Sequence, residues 1–292
     1  MMKNTLCLLV FAAFCLCPLG SASRLAAQSD ALEFPAASPP ALVREQVGLT
    51  TVEIEYARPS TRGRKIFGGL IPFDEIWRTG ANEATRITFS TDVVFGGEAV
   101  AAGTYALFTI PGTIEWTVIL NRVSGQWGSY GYNPDQDVLR VSVNAENMKR
   151  PVETLRLGLA DLTDASAQLE LSWEHTRVSV PIEVNIVDML VPKIEAAMAS
   201  SDEPKPYLSA AMFYYAHDID LEQSLQWINA GLVQQPQAVW IQYRKGLILA
   251  KLGDKEGCMA AAKKAIDLAN ATGGELGAEY RRLSEALVDS LR

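Results

Sequence analysis

Four cations, Arg58, Arg62, Arg64 and Lys65, crowd into eight residues of a segment, 28–187, that otherwise leans acidic, with 20 Asp and Glu against 13 Lys and Arg. Guanidinium forks beside the flexible backbone of Gly63, Gly68 and Gly69 suit a carboxylate, a phosphate or a sulfated sugar. The same charges equally suit ion pairs with Glu53, Glu55, Asp74 or Glu75 inside the fold. Further along, Trp77-Arg78-Thr79-Gly80-Ala81-Asn82-Glu83 sets an aromatic plane, a cation, an amide and a carboxylate within one short string. That mixture fits sugar or peptide recognition, where a ring stacks and polar groups orient the ligand. It also fits a core Trp77 with Arg78 and Glu83 as a structural ion pair. Trp127, Tyr130 and Tyr132 lie in or just after the glycine-bearing loop Gly125–Gly131, which either presents aromatics for a carbohydrate or protein contact or folds them inward. The candidate ligand-binding set is therefore Arg58, Arg62, Arg64, Lys65, Trp77, Arg78, Asn82, Glu83, Trp127 and Tyr130.

Catalytic chemistry finds less support. His175 and His217 are the only histidines and have no metal-ligand spacing, and the segment 28–187 carries no Cys. Asn133, Asp135 and Asp137 alternate like the first ligands of a calcium loop, but Val138 stands where that loop needs Gly and Asn144 where it needs Glu. No nucleophile elbow, phosphate loop or dinucleotide fingerprint occurs, so no cofactor and no metal are expected. Carboxylates such as Glu83 and Asp74 are too common a pair to count as a glycosidic acid and base. A non-catalytic protein is the expectation, with a hydrolase of unfamiliar site as the alternative.

These residues need elements to hold them. Val52, Ile54 and Tyr56 alternate with Thr51, Glu53 and Glu55, the period of a strand with one wet face. The pattern returns at Ile114–Leu120, Leu139–Val143, Leu155–Leu159, Leu169–Trp173 and Val178–Val184. Turn signals separate the runs at Gly96-Gly97, Pro111-Gly112, Asn133-Pro134-Asp135 and 161–164. Roughly ten short strands so punctuated predict an antiparallel β-sandwich, jelly-roll or immunoglobulin-like, with a barrel as the alternative. Residues 105–110 are apolar on both faces and belong at the sheet's centre.

After Val187 the period becomes helical at Leu190, Ile194 and Met198, and residues 201–206 read as a linker. A self-match at an offset of 34 residues maps Asp220 to Asp254, Ser224 to Cys258, Ile228 to Ala262 and Gly231 to Ala265. That is the tetratricopeptide period, with small residues where paired helices approach closely. Helices are expected at 207–217, 221–235, 238–252 and 255–270, with a capping helix at 276–291. An ordinary helical bundle is the other reading. The predicted organisation is a leader at 1–27, a β domain at 28–187, a helix and linker at 188–206, and a tetratricopeptide-like α-helical repeat at 207–292, an α+β multidomain chain.

The leader is expected from Lys3, the apolar run Leu6–Leu19 and the small residues that follow. The run holds about 14 residues, short of the ~20 that span a bilayer, so the chain is expected to be exported, to periplasm or exterior, without a transmembrane segment in its mature form. Loss of Cys7, Cys15 and Cys17 with the leader leaves Cys258 and no internal disulfide. Net charge is −8, or −10 once Lys3 and Arg24 are removed, which disfavours nucleic acid as a partner.

Residues 56–90 (YARPSTRGRKIFGGLIPFDEIWRTGANEATRITFS), 102–121 (AGTYALFTIPGTIEWTVILN) and 126–141 (QWGSYGYNPDQDVLRV) resemble an uncharacterised bacterial secreted family, domain of unknown function 2911. The resemblance covers about residues 34–187, and the helical tail is similar to one that often follows this domain. It implies an exported protein of Gram-negative-type bacteria and attaches no activity. The expected function is accordingly binding. The β domain would take a small polar or anionic ligand, a glycan or a peptide, and the helical repeat would dock a protein partner in its concave groove.

Overall fold

The computed structural model describes residues 34–291; the expected leader at 1–27 lies outside the described residues. Contacts divide the chain into Met1–Ala37 and Ser38–Arg292, and every element named below belongs to the second unit.

Alternating residues form the strands β1 (Pro40–Val47), β2 (Thr50–Ala57), β3 (Thr85–Phe89), β4 (Val93–Phe95), β5 (Glu98–Val100), β6 (Gly103–Ile110), β7 (Glu115–Asn121), β8 (Asp137–Ala160) and β9 (Ser166–Glu183). They make one antiparallel nine-stranded sheet in the order β1-β2-β3-β6-β7-β8-β9-β4-β5. Antiparallel pairing follows from the one-face wetting of most strands. β6, apolar on both sides, lies between β3 and β7 and buries Tyr105 to Thr109. Gly96 and Gly97, at φ 60° and 90°, close the two-residue β4–β5 hairpin, a turn whose left-handed backbone glycine adopts without strain.

The sequence pattern predicts separate strands at 139–143 and 155–159, and again at 169–173 and 178–184. Each couple is instead one long strand, 24 residues in β8 and 18 in β9. No glycine separates the halves, and the irregularities are absorbed as bulges between Asn147 and Val152 and between Val152 and Arg156. Pro151, which cannot donate to a ladder, falls in the first bulge. β8 pairs with β7 up to Asn144 and with β9 from Ala145, so one strand carries the sheet from one half to the other. The inward residues of both halves share one core, in which Phe67, Trp77, Trp116 and Trp173 form an aromatic cluster. Ile114 departs from expectation: it precedes β7 in the turn, is exposed, and its carbonyl accepts the Ala145 N–H at 2.7 Å.

Six helices follow: α1 (Ile186–Ala199), α2 (Tyr207–Ala216), α3 (Leu221–Gln234), α4 (Val239–Lys251), α5 (Lys255–Thr272) and α6 (Gly274–Ser290). Asp220 and Asp254, the two ends of the 34-residue offset, are both N-caps, accepting from Gln223 N–H and Gly257 N–H. Small residues allow close packing where expected. Ser224 is buried and its Oγ donates to Ala211 O at 2.7 Å, while Cys258 and Ala265 are fully buried. His217 Nε2, at the end of α2, lies 3.0 Å from Asp164 Oδ2 in the β8–β9 turn, off the line of a hydrogen bond. Among the described residues no helix is long and apolar enough to cross a membrane.

Candidate functional site

Two loops cover part of the sheet face opposite the main core, where Ala84, Ala106, Phe108 and Ile119 form a small apolar cluster beneath Ile76 and Tyr132. The first loop runs between β2 and β3. Trp77 and Thr109 exchange backbone hydrogen bonds at 2.8 and 2.9 Å, anchoring the loop to the end of β6. Thr79 and Asn82 have φ of 57° and 61°. A left-handed β-branched residue is strained, and Thr79 is held there by complete burial and by the Thr85 hydroxyl, which donates to its carbonyl at 2.9 Å.

The second loop, between β7 and β8, lies against the first. Ala84 N–H donates to Gln126 O at 2.9 Å, Gly128 N–H donates to Asn82 O at 3.0 Å, and Glu83 bridges to Trp127. At its base Tyr132 donates its hydroxyl proton to Asp137 Oδ2 (2.7 Å) and accepts from Arg140 Nη2 (2.7 Å), while Asn121 Nδ2 donates to Asp137 Oδ1 (2.8 Å). Burial, then the bond to Asp137, pushes the Tyr132 pKa up to about 12, so this phenol stays protonated as a fixed strut. Gly128, at φ 67°, leaves the space over which the Tyr130 ring lies.

This arrangement brings together five of the ten candidates: Arg78, Asn82, Glu83, Trp127 and Tyr130. Trp127 is 64% exposed and Tyr130 90% exposed. Arg78 is half-buried, and its Nε is shielded from solvent without a hydrogen-bond partner. Burial lowers its pKa and the nearby Tyr130 opposes that shift. Among the described residues Arg78 and Glu83 form no ion pair, contrary to the structural pairing the sequence also allowed. The surface thus offers two aromatic faces, a guanidinium, an amide and a carboxylate, the chemistry of recognition of a polar ligand.

The other candidates sit elsewhere. Trp77 is 3% exposed, stacked on Trp173 at 5.9 Å, with Nε1 donating to Gly80 O at 3.0 Å, so its ring has no face for a ligand. Arg58, Arg62 and Arg64 belong to a loop pinned along β8. Arg58 Nε donates to Leu155 O (3.0 Å), and Arg64 donates to the carbonyls of Thr61 (2.9 Å) and Ser60 (2.8 Å). Arg62 N–H and the Thr61 hydroxyl both bond the Glu153 carboxylate. Two of the four carboxylates expected as partners are differently engaged, Glu53 with Arg44 at 3.1 Å and Glu55 with Arg86 at 2.5 Å. Lys65 is exposed, with its carbonyl accepting the Leu70 N–H.

Sequence reasoning missed Glu153, Gln126 and the Asp137–Arg140 pair. Glu153 lies 91 residues from Arg62, and nothing local marks it. Asp137 and Arg140 carry the only local signal, a close opposite-charge spacing at the start of a strand after a loop tyrosine. Among the described residues no group of His, Cys, Asp and Glu is placed to hold a metal ion, and the oxygens of Asp137 are engaged by Asn121, Tyr132 and Arg140.

No curated protein and no solved structure matches the chain. A family model does match, and it spans the sheet and both of these loops: residues 38–182 match the family described as a protein of unknown function, DUF2911.

Proposed function

We propose that this chain is an exported bacterial binding protein of two working parts. The sheet, folded through β8 into a sandwich, recognises a small polar ligand, foremost a glycan, on the surface of Arg78, Asn82, Glu83, Trp127 and Tyr130. The tetratricopeptide-like helices dock a protein partner. One observation carries the reading of the sheet: Trp127 and Tyr130 stand exposed on a loop fixed by hydrogen bonds, next to a guanidinium whose buried Nε has no partner. Large apolar rings held rigidly in water suit the apolar face of a sugar, and the neighbouring polar groups suit its hydroxyls.

The test is an array of neutral and acidic oligosaccharides, followed by calorimetry on any that bind. Trp127→Ala and Tyr130→Ala should each weaken binding about tenfold or more, the scale of one lost stacking contact, with the melting temperature unchanged. A chain that binds nothing on the array, or variants that bind like the parent, would overturn the reading. Cleavage of a bound oligosaccharide, seen by mass spectrometry, would establish the hydrolase alternative instead.

A further inference from the structure

The helices enclose a groove of about 600 Å³ whose walls are α3 and α5 and whose floor is α4. Its apolar lining includes Leu225, Leu232, Val233 and Leu249, and Val233 is 83% exposed. Two cations face the same space, Lys245 from the floor and Lys264 from α5. Among the described residues Asp254 is the one carboxylate in the lining, and its Oδ1 already accepts the Gly257 N–H at 2.8 Å as the cap of α5.

We propose that this groove binds an acidic, aliphatic segment of a partner protein, its carboxylates set between Lys245 and Lys264 and its apolar side chains against Leu225, Leu232, Val233 and Leu249. Charge complementarity selects the occupant. From α4 to α5 the chain carries Arg244, Lys245, Lys251, Lys255, Lys263 and Lys264 against Asp254, Glu256 and Asp267, a local excess of cations in a chain of net charge −8. Lys245 is half-buried, and no ion pair is formed by it or by Lys264 among the described residues. Burial lowers the Lys245 pKa and Lys264 lowers it further, so in the free protein each ammonium is the other's unfavourable neighbour. A carboxylate between them reverses that sign and adds charge-assisted hydrogen bonds. A purely apolar occupant would leave the two like charges facing each other. Nucleic acid would gain from the lysines but would also meet an acidic molecule overall.

The inference rests on the adaptor reading of the helices, and the experiment separates the two. Fluorescence anisotropy on the full chain would use labelled peptides alternating Glu with Leu, Gln with Leu, and Lys with Leu, with inorganic phosphate and an RNA oligonucleotide as competitors. The Glu peptide should bind, about tenfold or more tighter than the Gln peptide, and weaken as salt rises; the Lys peptide should not bind. Lys245→Gln and Lys264→Gln should each cost about tenfold in affinity for the Glu peptide, and neither should lower the melting temperature, because each relieves a like-charge contact. Equal binding of the Glu and Gln peptides, indifference to both substitutions, or full displacement by phosphate or RNA would overturn the proposal. A displayed library of random short peptides, selected on the same chain, distinguishes the failures. Binders insensitive to both substitutions would remove this groove and leave the adaptor reading standing, whereas a library without binders would remove both.

Discussion

Trp77→Phe separates a core tryptophan from a binding one. The substitution keeps an aromatic ring in the pocket made by Phe67, Trp116 and Trp173 but removes the indole N–H. The Gly80 carbonyl then loses the donor that now reaches it at 3.0 Å in a buried site, a loss worth about 1–3 kcal/mol when the acceptor is left unpaired. The smaller ring also gives up part of the near-parallel stack on Trp173, at 5.9 Å and 22°, about 1 kcal/mol more. The sum is about 2–4 kcal/mol. At about 2–4 °C per kcal/mol for a unit of this size, the melting temperature should fall by roughly 5–15 °C. Trp127→Ala, at an exposed position, should stay within about 0.5 kcal/mol of the parent. Thermal melts of both variants, with matching urea midpoints, make the comparison. If Trp77→Phe melts like the parent while ligand binding is lost, Trp77 is a recognition residue and the placement argued above is wrong.

Two further predictions concern the contacts that shape the sheet. The Thr61 hydroxyl, then the Arg62 N–H, hold the Glu153 carboxyl below its ordinary pKa. Stability from that loop is therefore complete above the usual carboxylate range and is lost as pH falls through the lowered value; Glu153→Gln should flatten this part of a stability-against-pH curve, and an unchanged curve would remove the linkage. Gly48 and Gly97 both have positive φ, but a Cβ on Gly48 would lie 2.3 Å from Asp164 O while one on Gly97 would meet nothing within 4 Å. Gly97→Ala should thus cost about 1 kcal/mol for the backbone alone, and Gly48→Ala distinctly more, as read by paired urea melts; equal losses would mean that the approach of the two turns is not tight.

The helical part was the most legible. Capping Asp220 and Asp254, the 34-residue recurrence and the small positions at Ser224 and Cys258 are all local signals, and the observed α2 to α5 bounds lie within two residues of the expected ones. Strand type was legible for the same reason, since alternation is local. What the sequence could not carry was partnership across distance. Trp77 points inward because it bridges Thr109, 32 residues on, and no spacing within 77–83 encodes that. The four cations of 58–65 invited an anion pocket, yet the guanidinium of Arg58 donates to a carbonyl on β8, that of Arg64 to carbonyls within its own loop, and Arg62 bonds the Glu153 carboxylate on β8 through its backbone N–H; the groups on β8 are visible only once that strand lies beside the loop. β1 carries a weak signal because, as an edge strand, it leaves most of its outward side chains in water.

The length of β8 explains why one basic loop became structural while an aromatic one stayed open. Its later half offers Glu153 and the carbonyl of Leu155 to the 58–65 loop, and the Leu157 backbone to the Tyr56 hydroxyl, so that loop is consumed in tying β2 to β8. Its first residues, Asp137 and Arg140, engage Tyr132, Asn121 and each other, all at the base of the second loop. The second loop is therefore fixed only at its base and along the 82–84 segment, and its tip, with Trp127 and Tyr130, has no strand to fold against. Exposure of those two rings follows from where the hydrogen-bonding groups of β8 run out. A recognition surface needs that combination, a rigid base with an unsatisfied tip, and the other loop lacks it because it is tied along β8 through Arg58, Thr61 and the Arg62 N–H and presents no exposed aromatic ring.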